Sequence, residues 1–216
     1  MSMKGDTFKH RGMRRKLVAA IREMEVTDEA VLSAIEKVPR HLFLDPAFEK
    51  QAYENTAFQI GAGQTISQPY TVAFQTALLE LKKGEKVLEI GTGSGFQTAV
   101  LLELGVKVFS IERQRELYNK TKPLLTEMGY SAKLFYGDGY KGKEIFAPYD
   151  KILITCGAPF VPDALLEQLK PGGIMVIPVG EGRLQEMKRI TKNGDGTIEE
   201  VNFGTFSFVP MVEEKH

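Results

Sequence analysis

Residues 86–95 read Lys-Val-Leu-Glu-Ile-Gly-Thr-Gly-Ser-Gly, a short apolar run that ends in a glycine-rich turn. The run from Lys86 to Ile90 predicts a buried strand closed by Gly91, and a helix is predicted to begin near Phe96. Glycine lets the backbone turn sharply and approach a ligand without a Cβ in the way. Doubly wound sheets bind nucleotides at such a turn, at the carboxyl end of a strand. The stretch therefore predicts an α/β fold with a nucleotide-type ligand at the glycine turn.

Strands and helices are predicted to alternate on the carboxyl side of this turn. Apolar runs predict strands at 107–111, 132–136, 150–155 and 174–178, and helices at 96–104, 113–128 and 163–169. This alternation predicts a parallel sheet with right-handed crossovers and helices on both faces. Residues 184–191 and 198–208 flank a turn signal at 193–196 and predict an antiparallel hairpin at one sheet edge. The predicted fold class is thus α/β, a doubly wound, mostly parallel, seven-stranded sheet.

The chain before the first strand carries helices and one irregular segment. Apolar residues at helical spacing predict one helix ending near Met24 and a second helix that Thr27 caps and Pro39 ends. Residues 59–69 are rich in Gly, Ser and Pro and predict a loop, and residues 70–81 predict a third helix. The sheet is therefore expected to carry an N-terminal helical extension.

The spacing of the glycines bears on the kind of ligand. A dinucleotide fingerprint is GxGxxG, but here the glycines fall as GxGxG and Phe96 stands where the third glycine would be. Glu112 ends the second predicted strand, where its carboxylate can accept both hydroxyls of a ribose and would repel the 2′-phosphate of NADP. Asp138-Gly139 follows the third strand and offers an acceptor for an adenine amino group. Together these features favour a nucleoside-bearing methyl donor over a dinucleotide.

Composition narrows the class of protein. The chain has 28 basic and 28 acidic residues, so no net charge attracts nucleic acid or an anionic membrane. No linker or repeat divides it, and residues 1–216 are expected to form one domain, with helices and loop in 1–81 and the α/β core in 82–216. The N-terminus is charged and lacks an apolar signal segment, and no apolar run approaches the roughly 20 residues of a membrane span. A cytoplasmic enzyme, expected to act as a monomer, fits these features.

Few residues suggest metal or thiol chemistry. Cys156 is the single cysteine, so neither an intramolecular disulfide nor a cysteine-based zinc site can form. It follows an apolar strand and is expected to be a small buried side chain, not a nucleophile. His10 and His41 lack a paired carboxylate at metal-ligand spacing. No metal is therefore expected.

Several motifs resemble one family. Class I S-adenosylmethionine-dependent methyltransferases are similar at LEIGTGSGFQTAV (88–100), Glu112-Arg113, Gly137–Gly139 and Leu169–Gly173. More specifically, GAGQTISQP (61–69) resembles the signature of the protein-L-isoaspartate O-methyltransferase family, as do residues 38–40, 52–54, 138–142, 178–180 and 208–211. The similarity runs from about Arg11 to Met211.

This resemblance implies an activity and a set of site residues. The family moves a methyl group from S-adenosyl-L-methionine, which leaves as S-adenosyl-L-homocysteine, to the free α-carboxylate of L-isoaspartyl residues in damaged proteins and peptides. It implies Ser67 as the active-site hydroxyl. The expected cofactor-binding residues are Ile60, Gly61, Ala62, Gly63, Gly91, Gly93, Gly95, Glu112, Asp138 and Gly139. The expected substrate-binding residues are Thr65, Ile66, Val209 and Pro210.

The chemistry of such a transfer needs no general base. A carboxylate, with an unperturbed pKa of roughly 4, is already ionised at neutral pH. Positioning is then the main task, and the Ser67 hydroxyl can donate to one carboxylate oxygen while the other faces the methyl group. The alternative for Ser67 is a hydroxyl that bonds the backbone of its own loop.

Two other functions stay open from the residues. One is a related methyltransferase acting on RNA or a small molecule, against which stand the neutral charge and the 61–69 motif. The other is a non-catalytic donor-binding module in which Phe58 and Phe74 form an exposed patch for a protein partner. Donor titration followed by methyl transfer to isoaspartyl and normal aspartyl peptides separates the three.

Overall fold

A computed structural model of the protein describes residues 5–212. Its helices are α1 (Phe8–Glu23), α2 (Glu29–Lys37), α3 (Pro69–Leu78), α4 (Phe96–Glu103), α5 (Arg115–Glu127) and α6 (Asp163–Gln168). Its strands are β1 (Phe58–Gly61), β2 (Gln64–Ile66), β3 (Lys86–Ile90), β4 (Lys107–Glu112), β5 (Lys133–Tyr136), β6 (Tyr149–Ile154), β7 (Leu169–Val179), β8 (Gln185–Lys192) and β9 (Ile198–Phe206). None of the described helices combines the length and apolar character needed to cross a membrane.

The main sheet has seven strands in the order β5-β4-β3-β6-β7-β8-β9. The first five strands of this order are parallel, and β8 and β9 add to β7 as an antiparallel hairpin. The predicted fold class is thereby confirmed, and the order of the last two strands, which the sequence left open, is settled. Because β3 lies between β4 and β6, the strand order reverses at β3. The carboxyl ends of these three strands meet at the point where open α/β sheets bind ligands.

The sheet is covered on both faces. In β3 every residue after Lys86 is buried, as expected for a strand with helices above and below it. One apolar cluster joins α1 and α2 to the start of α4 and to Leu125 of α5, and Phe96 lies within it. A second cluster on the other face contains Leu88, Ile154 and Leu165. The N-terminal helices therefore share a core with the glycine turn that they precede in sequence.

Several predicted boundaries differ from the structure, and three of them have a clear physical reason. Asp28, not Thr27, caps α2, because the Asp28 carboxylate accepts hydrogen bonds from the backbone N–H groups of Ala30 and Val31. Helix α3 ends at Leu78 rather than at 81, since Glu80 has a left-handed φ of 51° that interrupts the helix. Strand β7 begins at Leu169, five residues earlier than predicted, by pairing with Tyr149 across an irregularity.

The predicted loop at 59–69 is in part a small β-hairpin. Strands β1 and β2 pair antiparallel, with Phe58 opposite Ile66 and Gln59 opposite Thr65. The hairpin turns at Ala62 and Gly63, both of which have positive φ. Sequence analysis did not predict this hairpin for two reasons. Its composition is rich in glycine, and strands of four and three residues leave too short a pattern to detect. The hairpin gives the 61–69 motif a defined position beside the sheet.

Candidate active site

Hydrogen bonds from Thr155, the residue that follows β6, hold the glycine turn after β3. The Thr155 hydroxyl lies 2.9 Å from the carbonyl oxygen of Ile90 and 2.7 Å from that of Gly91. Gly91 has a φ of 96°, and a Cβ added there would lie 2.5 Å from Thr155 Oγ1. Only glycine therefore allows the turn to lie this close to β6. Thr155 was not among the predicted site residues.

Glu112, at the end of β4, holds the other side of the turn. Its Oε2 accepts a hydrogen bond from the backbone N–H of Gly93 at 2.7 Å, and its Oε1 accepts one from Gln114 N–H at 2.7 Å. Burial raises the pKa of this carboxyl. Each carboxylate oxygen keeps acceptor capacity beyond its one backbone partner. Glu112 can therefore orient the turn and still accept hydrogen bonds from a ligand.

A cleft lies over the carboxyl ends of β3, β4 and β6. Residues 111–114 form one wall and residues 209–212 another, and Cys156 lies among its lining residues. The lining includes seven of the predicted site residues: Thr65, Gly91, Gly93, Glu112, Gly139, Val209 and Pro210. The fold thus brings segments far apart in sequence to one cavity.

Other predicted residues lie around the cleft without lining it. Ile60 packs on the turn, since its Cδ1 would lie 3.5 Å from a Cβ on Gly93. The hairpin-turn residues 61–63 are exposed. Gly95 is buried at the start of α4, against Thr121 and Leu125 of α5. The Asp138 carboxylate accepts a hydrogen bond from the backbone N–H of Tyr140 at 2.9 Å.

Ser67 and Ile66 line an inner recess between the β1–β2 hairpin and the glycine turn. Ser67 also lines an open groove, formed mainly by residues 65–71 and 203–209. Thr65 and Thr155 line the cleft, the recess and the groove alike. Ser67 therefore lies where the recess beside the glycine turn meets the groove.

Gln97 is a second residue that sequence analysis did not select. It lines the inner recess and is only 7% exposed. Its Nε2 donates to the Thr76 hydroxyl at 2.9 Å, and that hydroxyl donates to the carbonyl oxygen of Val72 at 2.6 Å. Within the described part of the chain its Oε1 has no hydrogen-bond partner. The one feature of the sequence that could have indicated Gln97 was its place two residues after Gly95, at the start of α4.

Glu89 is wholly buried beneath the turn. Burial raises the pKa of its carboxyl to about 7, against which the hydroxyls of Ser110 and Thr98 act. The Thr98 hydroxyl donates to Oε2 at 2.5 Å. Its Oε1 lacks a partner among residues 5–212. A strand pattern alone does not separate this glutamate from a solvent-facing one.

The histidines are partnered, contrary to the expectation from sequence. His10 Nε2 lies 2.9 Å from Glu49 Oε1, and the rings of His10 and His41 stack at 3.8 Å. Their ligand atoms and an Asp6 oxygen lie within 4.8 Å of one another. The Asp6 carboxylate, however, accepts two hydrogen bonds from Arg14, at 2.8 and 2.9 Å, and this cation disfavours a metal ion there. Sequence analysis missed the contacts of His10 with Glu49 and of His41 with Tyr53 because these partners lie on other segments of the chain.

The described residues fit a nucleoside-bearing donor. The cleft offers the Glu112 carboxylate for hydroxyl donors and the apolar side chains of Ile90 and Ile111 for a flat ring. The close glycine turn supplies a backbone surface that a Cβ at Gly91 would obstruct. The seven-stranded sheet, ending in its antiparallel hairpin, and this cleft define an S-adenosylmethionine-dependent methyltransferase.

Comparison with known proteins identifies the family. The family model described as "Protein-L-isoaspartate(D-aspartate) O-methyltransferase (PCMT)" matches residues 12–216, and the chain belongs to this family. It is 58% identical over 212 residues to the protein-L-isoaspartate O-methyltransferase of Christiangramia forsetii, covering 98% of this chain and 99% of that relative.

Two solved structures share the fold. One, a protein-L-isoaspartate O-methyltransferase, has a TM-score of 0.82 at 29% identity over 91% of this chain and 65% of that chain. The other, from Plasmodium falciparum, was solved with S-adenosyl-L-homocysteine. It has a TM-score of 0.81 at 23% identity over 93% of this chain and 99% of that chain.

Proposed function

We propose that the cleft and the adjoining groove together carry out methyl transfer from S-adenosyl-L-methionine to the free α-carboxylate of L-isoaspartyl residues. Protein-L-isoaspartate O-methyltransferase activity, a protein-repair reaction, is the activity of the family to which the chain belongs. The observation that carries the proposal is the position of Ser67, which lines both the recess beside the glycine turn and the open groove. A peptide in the groove can thereby present a carboxylate to a donor bound beside the glycine turn.

The donor would be held by the glycine turn and by the ends of β4 and β5. Glu112 would accept hydrogen bonds from the ribose hydroxyls, and Gly91 and Gly93 would allow close approach of the backbone. Gly139 would contact the base where it lines the cleft. When bound, the donor supplies an electrophilic methyl group on a sulfonium.

Ser67 would orient the substrate. Its hydroxyl would donate to one oxygen of the isoaspartyl carboxylate and leave the other free to react. Thr65 and Ile66 would fix this hydroxyl through their place in β2, opposite β1. The carboxylate is ionised at neutral pH, so no side chain has to remove a proton and no metal has to activate the nucleophile.

The setting of the enzyme is also proposed. We place it in the cytoplasm as a monomer, without nucleic-acid or membrane partners. In support, the net charge is zero and the single cysteine, Cys156, allows no intramolecular disulfide. Size-exclusion chromatography with light scattering at micromolar concentration tests the monomer.

The deciding experiment is methyl transfer from tritiated S-adenosyl-L-methionine. The acceptors are a peptide with one L-isoaspartyl residue, the same peptide with normal aspartate, and a transfer RNA mixture. We expect label only in the isoaspartyl peptide, as a base-labile ester. Donor binding without transfer would indicate a binding module, and label only in RNA would indicate a different methyltransferase; either result would overturn the proposal.

A further inference from the structure

The groove beside Ser67 exposes apolar side chains that the fold does not use. Leu184, between β7 and β8, is 62% exposed, and Met24, at the end of α1, is 42% exposed. Both line the groove together with Ser67. Large apolar residues at such exposure contribute little to the core, and their convergence from separate elements marks a binding surface.

Aromatic rings form the wall of the same groove. Tyr70 of α3 and Phe206 of β9 line it, with nearly parallel rings whose centroids lie 6.4 Å apart. Phe74 supports both rings from behind, at 5.6 Å from Tyr70 and 5.3 Å from Phe206. The hypothesis that Phe58 and Phe74 form an exposed patch is therefore wrong. Phe74 packs against Tyr70 and Phe206, and Phe58 packs against Phe48 with ring centroids 5.2 Å apart. The wall therefore joins α3 to β9, two elements that lie far apart in the sequence.

The side chains described as lining the groove are uncharged, although the Glu25 carboxylate acts electrostatically on Tyr70 in its wall. Of the 16 residues described as lining it, none is Asp, Glu, Lys or Arg. A charged peptide side chain entering it would lose hydration without gaining a counter-charge, whereas an apolar one would gain by burial. The lining thus discriminates by polarity.

We infer that Leu184, Met24, Tyr70 and Phe206 form a subsite for an apolar side chain next to the isoaspartyl residue of the peptide. This inference rests on the proposed function and deepens it by naming the preferred substrates. Damaged segments with apolar neighbours are repaired in preference to acidic or basic ones. The occupant is a peptide because the groove is continuous with Ser67, which faces the reacting carboxylate.

Matched peptides test the subsite. Each hexapeptide carries one L-isoaspartyl residue, with Leu, Ser, Asp or Lys placed first before it and then after it. For wild type we expect kcat/KM to be about tenfold higher with Leu than with Ser on one side, and lower still with Asp or Lys. The difference is expected in KM and not in kcat, because the subsite binds without touching the reacting atoms.

The informative variant is Leu184→Ser, since an exposed side chain can be changed without loss of folding. We expect the preference for Leu over Ser to fall at least threefold, through a higher KM for the Leu peptide. Ile145→Ser is the matched control, because Ile145 is 80% exposed and lies outside the groove. Its preference should equal that of wild type.

The outcomes separate the two proposals. Transfer that ignores the neighbouring residue, or a preference that Leu184→Ser leaves intact, overturns the subsite while the repair activity stands. A wild-type protein that labels none of the isoaspartyl peptides overturns the proposed function itself.

Discussion

Ser67 illustrates how one side chain depends on its surroundings. The Ser67 hydroxyl has the same intrinsic chemistry as the hydroxyl of free serine. Its position in the recess and groove makes it a candidate for orienting a carboxylate. A hydrogen bond to a charged partner contributes about 1.5–3 kcal/mol. That range sets what its removal should cost.

Ser67→Ala is expected to lower kcat/KM for an isoaspartyl peptide roughly 10- to 150-fold. Affinity for S-adenosyl-L-homocysteine, measured by calorimetry, should stay within about twofold, because the proposed partner of the hydroxyl is the substrate. Ser131→Ala, at an exposed serine outside the cleft and groove, is the control. Unchanged turnover in Ser67→Ala would remove the hydroxyl from the mechanism.

Glu89 makes stability depend on pH. Its folded-state pKa of about 7 lies above the ordinary value of 4.5, so between these values the folded protein keeps a proton that the unfolded chain releases. The contribution of Glu89 to the free energy of unfolding is therefore largest below pH 4.5. It is lost as the pH rises toward 7. The total change is about 3 kcal/mol.

Urea unfolding of wild type and Glu89→Gln at pH 5, 6, 7 and 8 measures this effect. Glutamine resembles the protonated acid, so the variant should lack the decline, and the stability difference between the two proteins should grow with pH toward about 3 kcal/mol. Parallel pH curves for both proteins would show that Glu89 does not titrate in this range.

Among the elements, α5 packs against Gly95, the last glycine of the turn between β3 and α4. Gly95 begins α4 with a φ of 89°, and a Cβ there would lie 2.8 Å from Thr121 Cγ2 and 3.2 Å from Leu125 Cγ. The Thr121 hydroxyl donates to the Gly93 carbonyl oxygen at 2.6 Å. Helix α5 thus packs directly on the turn, and Gly95 serves this contact.

Gly95→Ala is expected to lower the free energy of unfolding by about 3 kcal/mol, from left-handed strain and from overlap with α5. Gly129→Ala is the matched control, because Gly129 has a φ of 80° but no atom within 4 Å of an added Cβ. It should cost only about 1 kcal/mol. Equal losses in chemical denaturation would mean that the α4–α5 contact does not require glycine.

At the scale of the whole molecule, the N-terminal helices share one apolar cluster with α4 and α5. The ring centroids of Phe96, in α4, and Phe43 lie 5.8 Å apart. The Arg40 guanidinium carbon lies 4.9 Å from the centroid of the Phe96 ring. The apolar cluster that contains Phe96 includes Leu17, Ile35 and Leu125. The described residues before 82 are therefore proposed to fold together with the described residues that follow them.

We expect a single unfolding transition in calorimetry, with equal calorimetric and van't Hoff enthalpies. S-adenosyl-L-homocysteine should raise its midpoint as one transition, because the ligand binds the folded state. Two separated transitions, only one of which the ligand shifts, would show that the helical extension is an independent unit.

The local sequence determined a large part of this protein. The alternation of strands and helices, the glycine turn and the residues at strand ends follow from short-range periodicity and from the special backbone freedom of glycine. Because parallel strands bring their carboxyl ends to one edge, the sequence also placed Glu112 and Gly139 at the same cleft. Motif resemblance supplied the identity of the family, which composition and spacing alone left open.

The tertiary structure decided what depends on contacts between distant segments. The pairing of β1 with β2, the order of β8 and β9, and the burial of Gln97 each involve partners that no local pattern indicates. The groove joins Met24 and Leu184, which are 160 positions apart in the chain. Side-chain packing and hydrogen bonding act between neighbours in space, so such sites exist only once the chain has folded.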